Sequence, residues 1–126
     1  MPKTTQKKPE KNSKIVQKTL VLLDTHAILH RAFHAVPDLV SSVGMPTGAL
    51  YGLLNMIIKT VKDLHPDYII ACYDLPQPTF RHITYDNYKK GRKQTDDTLK
   101  AQIDESRNIF LALNIPMYDT PGFEAD

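Results

Sequence analysis

Acidic side chains follow three apolar stretches of this sequence at the point where each stretch ends. The stretches and their acids are "TLVLLD" with Asp24, "YIIACYD" with Asp74, and "IPMYD" followed by "TPGFEAD" with Glu124 and Asp126. Carboxylate oxygens are ligands that Mg²⁺ and Mn²⁺ prefer over nitrogen or sulfur. Two such ions held close together clamp the attacking and leaving oxygens of a phosphodiester hydrolysis. If the fold brings the four carboxylates together, they predict a two-metal site for this chemistry.

Strands of a parallel sheet would position these acids. The short, β-rich apolar runs at 19–24 and 68–74 predict buried parallel strands, and 115–119 predicts a weaker third strand because it contains Pro116. In open sheets of this kind, ligand sites form at the carboxyl ends of the strands. We therefore expect the first two acids at that edge, with the turn after the third strand bringing the last two acids to the same place.

Two helices are predicted between and after these strands. Apolar residues recur at spacings of three and four between Leu50 and Leu64, which indicates an amphipathic helix that begins near Thr47 and ends before Pro66. A second helix is predicted from about Thr98 toward Leu113. Its apolar side consists of Leu99, Ile103, Phe110 and Leu113. Helical crossovers between parallel strands predict an α/β fold with the sheet flanked by helices.

Length and composition favour a single cytoplasmic domain. A chain of 126 residues is long enough for one hydrophobic core. Cys72 is the only cysteine, so no intramolecular disulfide forms, which fits a reducing compartment. No apolar run approaches the ~18 residues of a membrane span, and residues 1–18 lack the apolar segment of a secretory signal. We therefore predict a cytoplasmic protein without a membrane partner.

Charge is distributed unevenly along the chain. The net charge of +2 combines +5 in residues 1–18 with −3 in residues 19–126. We interpret 1–18 as a basic disordered tail, either a solubilising leader or a contact for nucleic-acid phosphates. Within 79–93 the charge is locally positive, although such a run by itself is usually a solvated surface. Its charged residues are Arg81, Asp86, Lys89, Lys90, Arg92 and Lys93.

Four blocks of the sequence resemble a known family. The 5′→3′ exonuclease domain at the amino end of bacterial DNA polymerase I, which is also the bacterial branch of the flap endonucleases, has similar blocks in the same order. In this chain they are "LLDTHAILHRAFHA", "GMPTGALYGLLNMI", "CYDLPQPTFRHITYDNYKKGRK" and "PGFEAD". The resemblance covers residues 19–126 and implies a PIN-like, resolvase-like 5′ nuclease fold. It also implies hydrolysis of DNA at 5′ flaps, nicks or duplex ends in replication and repair.

The resemblance assigns roles to the acids. By position, Asp24 and Asp74 resemble the first two metal-site aspartates of the family, and Glu124 and Asp126 resemble the start of its E-A-D-D block. It implies that these residues hold two Mg²⁺ or Mn²⁺ ions. Because the sequence stops inside that block, we expect the domain 19–126 to be incomplete at its carboxyl end.

The resemblance also implies the DNA contacts. Arg31 would act at the catalytic centre by neutralising a phosphate, and Phe33 would stack on a terminal base, with core packing as the alternative. Residues 80–98, approximately, would begin a helical arch over the single-stranded 5′ end. The predicted DNA-binding residues of this region are Arg81, Tyr88, Lys89, Lys90, Arg92 and Lys93. We expect the protein to act on DNA as a monomer.

Other interpretations remain open at this stage. His26, His30 and His34 are spaced four apart and could bind zinc on one helix face. An Asp after a strand also caps helices, and it occurs in aspartyl-phosphate phosphatases and receiver domains, although "DTH" lacks the phosphatases' second Asp. Gly48 and Gly52 are compatible with close approach of the backbone to DNA. The chain could also be a noncatalytic DNA-binding fragment.

Overall fold

The structure is a computed structural model that describes residues 15–75, 96–121, 123 and 125. Helices lie between the parallel strands in chain order, which confirms the predicted α/β class. In chain order the elements are β1 (Leu20–Asp24), α1 (Thr25–Ala35), α2 (Gly48–Leu64), β2 (Tyr68–Cys72), α3 (Asp97–Ala112) and β3 (Met117–Tyr118). No helix in the described ranges has both the length and the apolar character required to cross a membrane.

The sheet has the strand order β1-β2-β3, and both pairs of neighbours are parallel, as predicted. Leu23 is paired with Ala71, and Ala71 with Met117, so the carboxyl ends of the three strands lie along one edge. We call this the carboxyl edge. β3 has two residues instead of the predicted five, and it directly follows Pro116, which has no N–H to donate.

The sheet buries one face and leaves the other largely open. We call the buried face, formed by Val21, Leu23, Ile69, Ala71, Tyr73 and Met117, the inner face, and the opposite one, formed by Leu20, Leu22, Tyr68, Ile70, Cys72 and Tyr118, the outer face. Leu23 on the inner face is 5% exposed, whereas Leu22 on the outer face is 62% exposed. The prediction of a buried strand therefore holds only for the inner face of β1, because the described helices pack on that face.

Helix α2 matches the sequence prediction closely. It runs from Gly48 to Leu64, and its chain reverses at His65, which adopts the left-handed conformation just before Pro66. Leu50, Leu53 and Ile57 of the predicted apolar stripe are buried. The last turn is more exposed than the periodicity indicates, because the stripe extends past the partners that cover its first three turns.

Polar residues complete the buried side of α3. Leu99 and Phe110 are buried as predicted, but Leu113 lies beyond the helix end and is exposed. Gln102 and Ser106 lie in the same stripe and are also buried. The Oε1 atom of Gln102 accepts hydrogen bonds from two backbone N–H groups at the start of α2, those of Ala49 (2.7 Å) and Leu50 (3.3 Å).

Both glycines of α2 face the protein interior. A Cβ atom added to Gly52 would lie 2.5 Å from the Cβ of Ala32 in α1, and one added to Gly48 would lie 3.0 Å from the carbonyl oxygen of Pro37. The absence of side chains therefore allows α1 and the following loop to approach α2. The contacts of these glycines within the protein account for the absence of side chains here without any contact to DNA.

Candidate active site

Asp24 is the last residue of β1 and the residue before α1. Its Oδ1 atom accepts a hydrogen bond from the backbone N–H of Ala27 at 3.3 Å, so it caps the helix, as the alternative interpretation of a strand-end Asp predicted. A cap of this kind occupies one carboxylate oxygen. Asp24 is only partly buried, and it pairs with Cys72 across the sheet, which places it on the carboxyl edge.

Asp74 reaches the same edge from the central strand. It follows β2 by two residues, and the preceding Tyr73 donates its backbone N–H to the carbonyl oxygen of Tyr118 at 2.9 Å. The Oδ1 atom of Asp74 accepts a hydrogen bond from the backbone N–H of Ala125 at 2.5 Å. Ala125 lies between Glu124 and Asp126 in the sequence, and these two predicted ligands lie outside the described residues.

The imidazole of His26 lies within the electrostatic field of both aspartates. Burial lowers the pKa of His26 and is the largest effect, whereas the carboxylates of Asp74 and Asp24 both raise it. His30 and Arg107 lower it further, and the net pKa lies below the ordinary value. The strand pairing of Asp24 with Cys72 and the ring contact between His26 and Tyr73 show that two distant segments of the chain meet at this edge.

The three histidines do not form a zinc site. His26 is partly buried, while His30 and His34 are exposed on α1. Among the described residues, no three His, Cys, Asp or Glu side chains come together as a group able to hold a metal ion. The zinc interpretation is therefore wrong. For the carboxylate site, the described residues supply Asp24 and Asp74, two of the four predicted ligands.

The donors at the carboxyl edge fit a hard cation. Asp24 and Asp74 present carboxylate oxygens, and each is seen to use one oxygen in a backbone hydrogen bond. Beside Asp24, the hydroxyl oxygen of Thr25 is fully buried and has no hydrogen-bond partner among the described residues. Carboxylate oxygens suit hard divalent cations, whereas softer metals prefer nitrogen or sulfur.

A second group of residues at this edge was not predicted as part of the site. Tyr73 is 1% exposed, and its hydroxyl lies 2.6 Å from the Oγ of Ser106. Burial raises the pKa of Tyr73, partly offset by Ser106 and Arg107. The Tyr73 ring contacts His26 edge to face, with 5.7 Å between ring centres. Arg107 lies over the Tyr73 ring and forms an ion pair with Asp119. Asp119, the acid at the end of the third apolar run, was therefore the sequence signal that could have pointed to this group.

The two predicted DNA contacts of α1 lie on different sides of the helix. Arg31 is exposed, two turns along the helix from Asp24. Phe33 is partly buried and packs against the hydrophobic core, which matches the alternative interpretation of core packing. It also lines a cleft of about 380 Å³ together with Leu39 and Thr98, so part of its ring remains accessible.

The predicted arch lies almost entirely outside the described residues. Of the range 80–98, the structure describes 96–98, where Asp96 caps α3 by accepting a hydrogen bond from the backbone N–H of Thr98 at 2.8 Å. The hydrogen bond from the Thr98 hydroxyl, together with this backbone hydrogen bond, lowers the pKa of Asp96. The predicted DNA-binding residues that lie outside the described residues are Arg81, Tyr88, Lys89, Lys90, Arg92 and Lys93.

A parallel sheet with acids at its carboxyl edge defines a fold that a solved structure shares. The T5 D15 protein, crystallised with metal ions, superposes with a TM-score of 0.53 at 16% identity, over 86% of this chain and 41% of that one. This likeness supports the PIN-like, resolvase-like nuclease fold. Residues 19–126 match the family model described as the 5′-3′ exonuclease, N-terminal resolvase-like domain, and the chain belongs to that family.

Relatives in two kinds of protein carry this domain. A 5′-3′ exonuclease of Aquifex aeolicus is 40% identical over 109 residues, which are 86% of this chain and 38% of that protein. A DNA polymerase I of Caldicellulosiruptor bescii is 41% identical over 107 residues, 85% of this chain and 13% of that protein. The chain thus spans well under half the length of these relatives.

Proposed function

We propose that this chain provides the first part of a metal-dependent 5′→3′ exonuclease and flap endonuclease that hydrolyses DNA phosphodiesters in replication and repair. The observation that carries the proposal is the meeting of the Asp24 and Asp74 segments at the carboxyl edge, where Asp24 pairs with Cys72 and the His26 ring contacts the ring of Tyr73. The names of the relatives, 5′-3′ exonuclease and DNA polymerase I, support the same activity.

The proposed metal ligands are Asp24, Asp74, Glu124 and Asp126. The backbone N–H of Ala125 donates a hydrogen bond to Oδ1 of Asp74. Ala125 lies between Glu124 and Asp126 in the sequence, which supports their inclusion in the proposed set. We propose two Mg²⁺ or Mn²⁺ ions, which when bound would activate water and stabilise the charge of the displaced oxygen. The protein residues hold and orient the ions, and Arg31 would neutralise a neighbouring phosphate.

The proposed substrate is DNA with a 5′ flap, a nick or a duplex end. The basic stretch 79–93 would hold the strand through its phosphates without reading sequence, and tyrosines within it would stack on bases. Phe33 has an accessible part in the cleft beside α1, where a terminal base could stack. We further propose that the protein acts as a monomer in the cytoplasm.

Cleavage of a labelled 5′-flap DNA by the 126-residue chain in the presence of Mg²⁺ tests this proposal. We expect Asp24→Asn and Asp74→Asn to abolish cleavage, since each removes a proposed ligand charge. Asp63→Asn, an exposed acid of α2, is the matched control and should cleave like the unaltered chain. Cleavage that survives Asp24→Asn and Asp74→Asn would refute the assigned site.

Metal binding can be measured without activity. Mg²⁺ that binds the folded state raises the melting temperature by mass action. We expect this rise for the unaltered chain and for Asp63→Asn, and its loss in Asp24→Asn and Asp74→Asn.

A noncatalytic DNA-binding fragment is the second candidate function. It is favoured by the described residues, among which no three His, Cys, Asp or Glu side chains form a group able to hold a metal ion. This function predicts binding of the flap DNA without turnover, whether or not Mg²⁺ is present. The cleavage assay and a binding measurement on the same DNA therefore separate the two functions.

A further inference from the structure

The positively charged side chain of Arg107 lies beside the acidic residues of the carboxyl edge. Arg107 projects from α3, and its guanidinium carbon is 4.1 Å from the centre of the Tyr73 ring. Its Nη2 atom is 3.7 Å from Oδ2 of Asp119, the residue that follows β3. Because Asp74 directly follows Tyr73, the guanidinium lies beside the strand end that carries a proposed metal ligand.

The Tyr73 ring, on which this guanidinium stacks, is held in place by its contacts. Tyr73 is buried, its hydroxyl is bonded to the buried Ser106, and its ring packs edge to face on Phe110, with 6.1 Å between the ring centres. A guanidinium stacked on such a ring is attracted by the π face and gives up rotational freedom before any ligand arrives. Arg107 is thus oriented in advance.

The donors of Arg107 remain available. The separation of 3.7 Å from Asp119 exceeds the length of an N–H···O hydrogen bond, about 2.7–3.2 Å, so this contact is an ion pair only. In the described part of the chain no other acceptor bonds to the guanidinium, and the side chain is 42% exposed. An anion from solvent can therefore reach its N–H groups.

The charge of Arg107 acts at the same place as the two aspartates. The Tyr73 ring contacts the His26 ring, with 5.7 Å between ring centres, and the Arg107 guanidinium lies over the same Tyr73 ring. A DNA phosphate that approaches this edge meets carboxylates that repel it, and Arg107 is a positive group held among them by α3. A planar guanidinium can grip a phosphate with two parallel hydrogen bonds, which gives position as well as attraction.

We propose that Arg107 is a phosphate-binding residue, which donates hydrogen bonds to a phosphate of the DNA strand lying against the carboxyl edge. This inference rests on the proposed function. It adds a contact from α3, separate from the basic stretch 79–93 and from Arg31 on α1.

The test is the salt dependence of DNA binding by the 126-residue chain. Fluorescence anisotropy with a labelled 5′-flap duplex, in Ca²⁺ and over a series of NaCl concentrations, gives the affinity and its slope. We expect Arg107→Met to weaken binding about fivefold. It should also reduce the slope of log Kobs against log[NaCl] by about 0.9, the value for one lost phosphate contact on duplex DNA.

Lys59→Met is the matched control, because Lys59 is an exposed cation on the half of α2 that leads to the amino end of the sheet. The substitution removes the same charge, and both the affinity and the slope should stay at the unaltered values. If Arg107→Met and Lys59→Met bind alike, the inference is wrong while the proposed function stands. If the unaltered chain does not bind the DNA at all, both are wrong.

Arg107→Lys separates binding from folding. It keeps the charge and loses the planar pair of donors, so we expect affinity to fall about twofold to threefold with the slope unchanged. If circular dichroism shows that Arg107→Met is unfolded, Arg107→Lys alone tests the proposal. A loss of affinity in Arg107→Lys supports the phosphate contact, and unaltered affinity refutes it.

Discussion

The close contact between α1 and α2 depends on the absence of a side chain at one position. Gly52 faces Ala32, and a Cβ atom at position 52 would come within 2.5 Å of the Ala32 Cβ, closer than two methyl groups can pack. Asp24 is the N-cap residue of α1, so the separation of these helices helps to set where that carboxylate lies. A residue with no chemistry of its own thus contributes to the geometry of the site.

We expect Gly52→Ala to destabilise the protein by about 1–3 kcal/mol through overpacking, even though alanine favours helix by about 1 kcal/mol. Urea unfolding measures the change. The double variant Gly52→Ala with Ala32→Gly restores the space, so it should be more stable than the sum of the single changes predicts. Strict additivity of the two changes would argue against a direct contact.

At the scale of elements, α2 is capped by α3 and not by its own first residues. Thr47 occupies the N-cap position, but its side chain makes no capping hydrogen bond. Gln102 of α3 instead supplies the acceptor for the N–H groups of Ala49 and Leu50. This bond ties together two helices that flank the site from different parts of the chain, and it explains a buried amide within an apolar stripe.

Replacement of Gln102 by Met keeps the length of the side chain and removes the acceptor. Two buried N–H groups lose their partner, so we expect the free energy of unfolding to fall by about 1–3 kcal/mol. Hydrogen exchange of Ala49 and Leu50 should accelerate. Thr47→Ala is the control and should cost less than about 0.5 kcal/mol, although an ordinary N-cap change costs about 1 kcal/mol. A larger effect at Thr47 would contradict the capping role of Gln102.

For the molecule as a whole, the described elements form a sheet covered on one face. The core joins the inner face to the three helices, while the outer face exposes leucine and tyrosine side chains. Parallel sheets are normally covered on both faces. The stability of the described fold must therefore come from the inner face.

Two adjacent leucines test this one-sided core. We expect Leu23→Ala to lower the free energy of unfolding by about 2–4 kcal/mol because it opens a cavity against the helices. Leu22→Ala, with the same chemical change on the outer face, should cost less than about 1 kcal/mol. Chemical denaturation of both variants measures the difference. Similar losses at the two positions would mean that the outer face is covered in solution.

Local patterns were sufficient to predict most of the elements and the strand ends, although they did not predict α1 and overestimated the length of β3. Apolar runs and helical spacing predicted the strand and helix positions of α2, α3 and β2 to within a few residues, since these periods arise from the geometry of each element alone. The parallel sheet followed from the long crossovers, and placed Asp24 and Asp74 on one edge. The four blocks of the resemblance pointed to the family that the comparison then established.

Contacts between distant segments were not predictable in this way. Leu22 and Leu23 have the same side chain, and the positions of the helices decide which of the two is buried. Gln102 appears as a polar interruption until its partner 53 residues earlier in the chain is known. Arg107 reads as a surface cation until Tyr73 and Asp119 are brought beside it. The sequence by itself therefore determined β1, β2, α2 and α3, the family and the acids at the strand ends, because each depends on near neighbours in the chain. The tertiary structure alone decided the covered face, the cap of α2 and the surroundings of Arg107, because each depends on residues that only folding brings together.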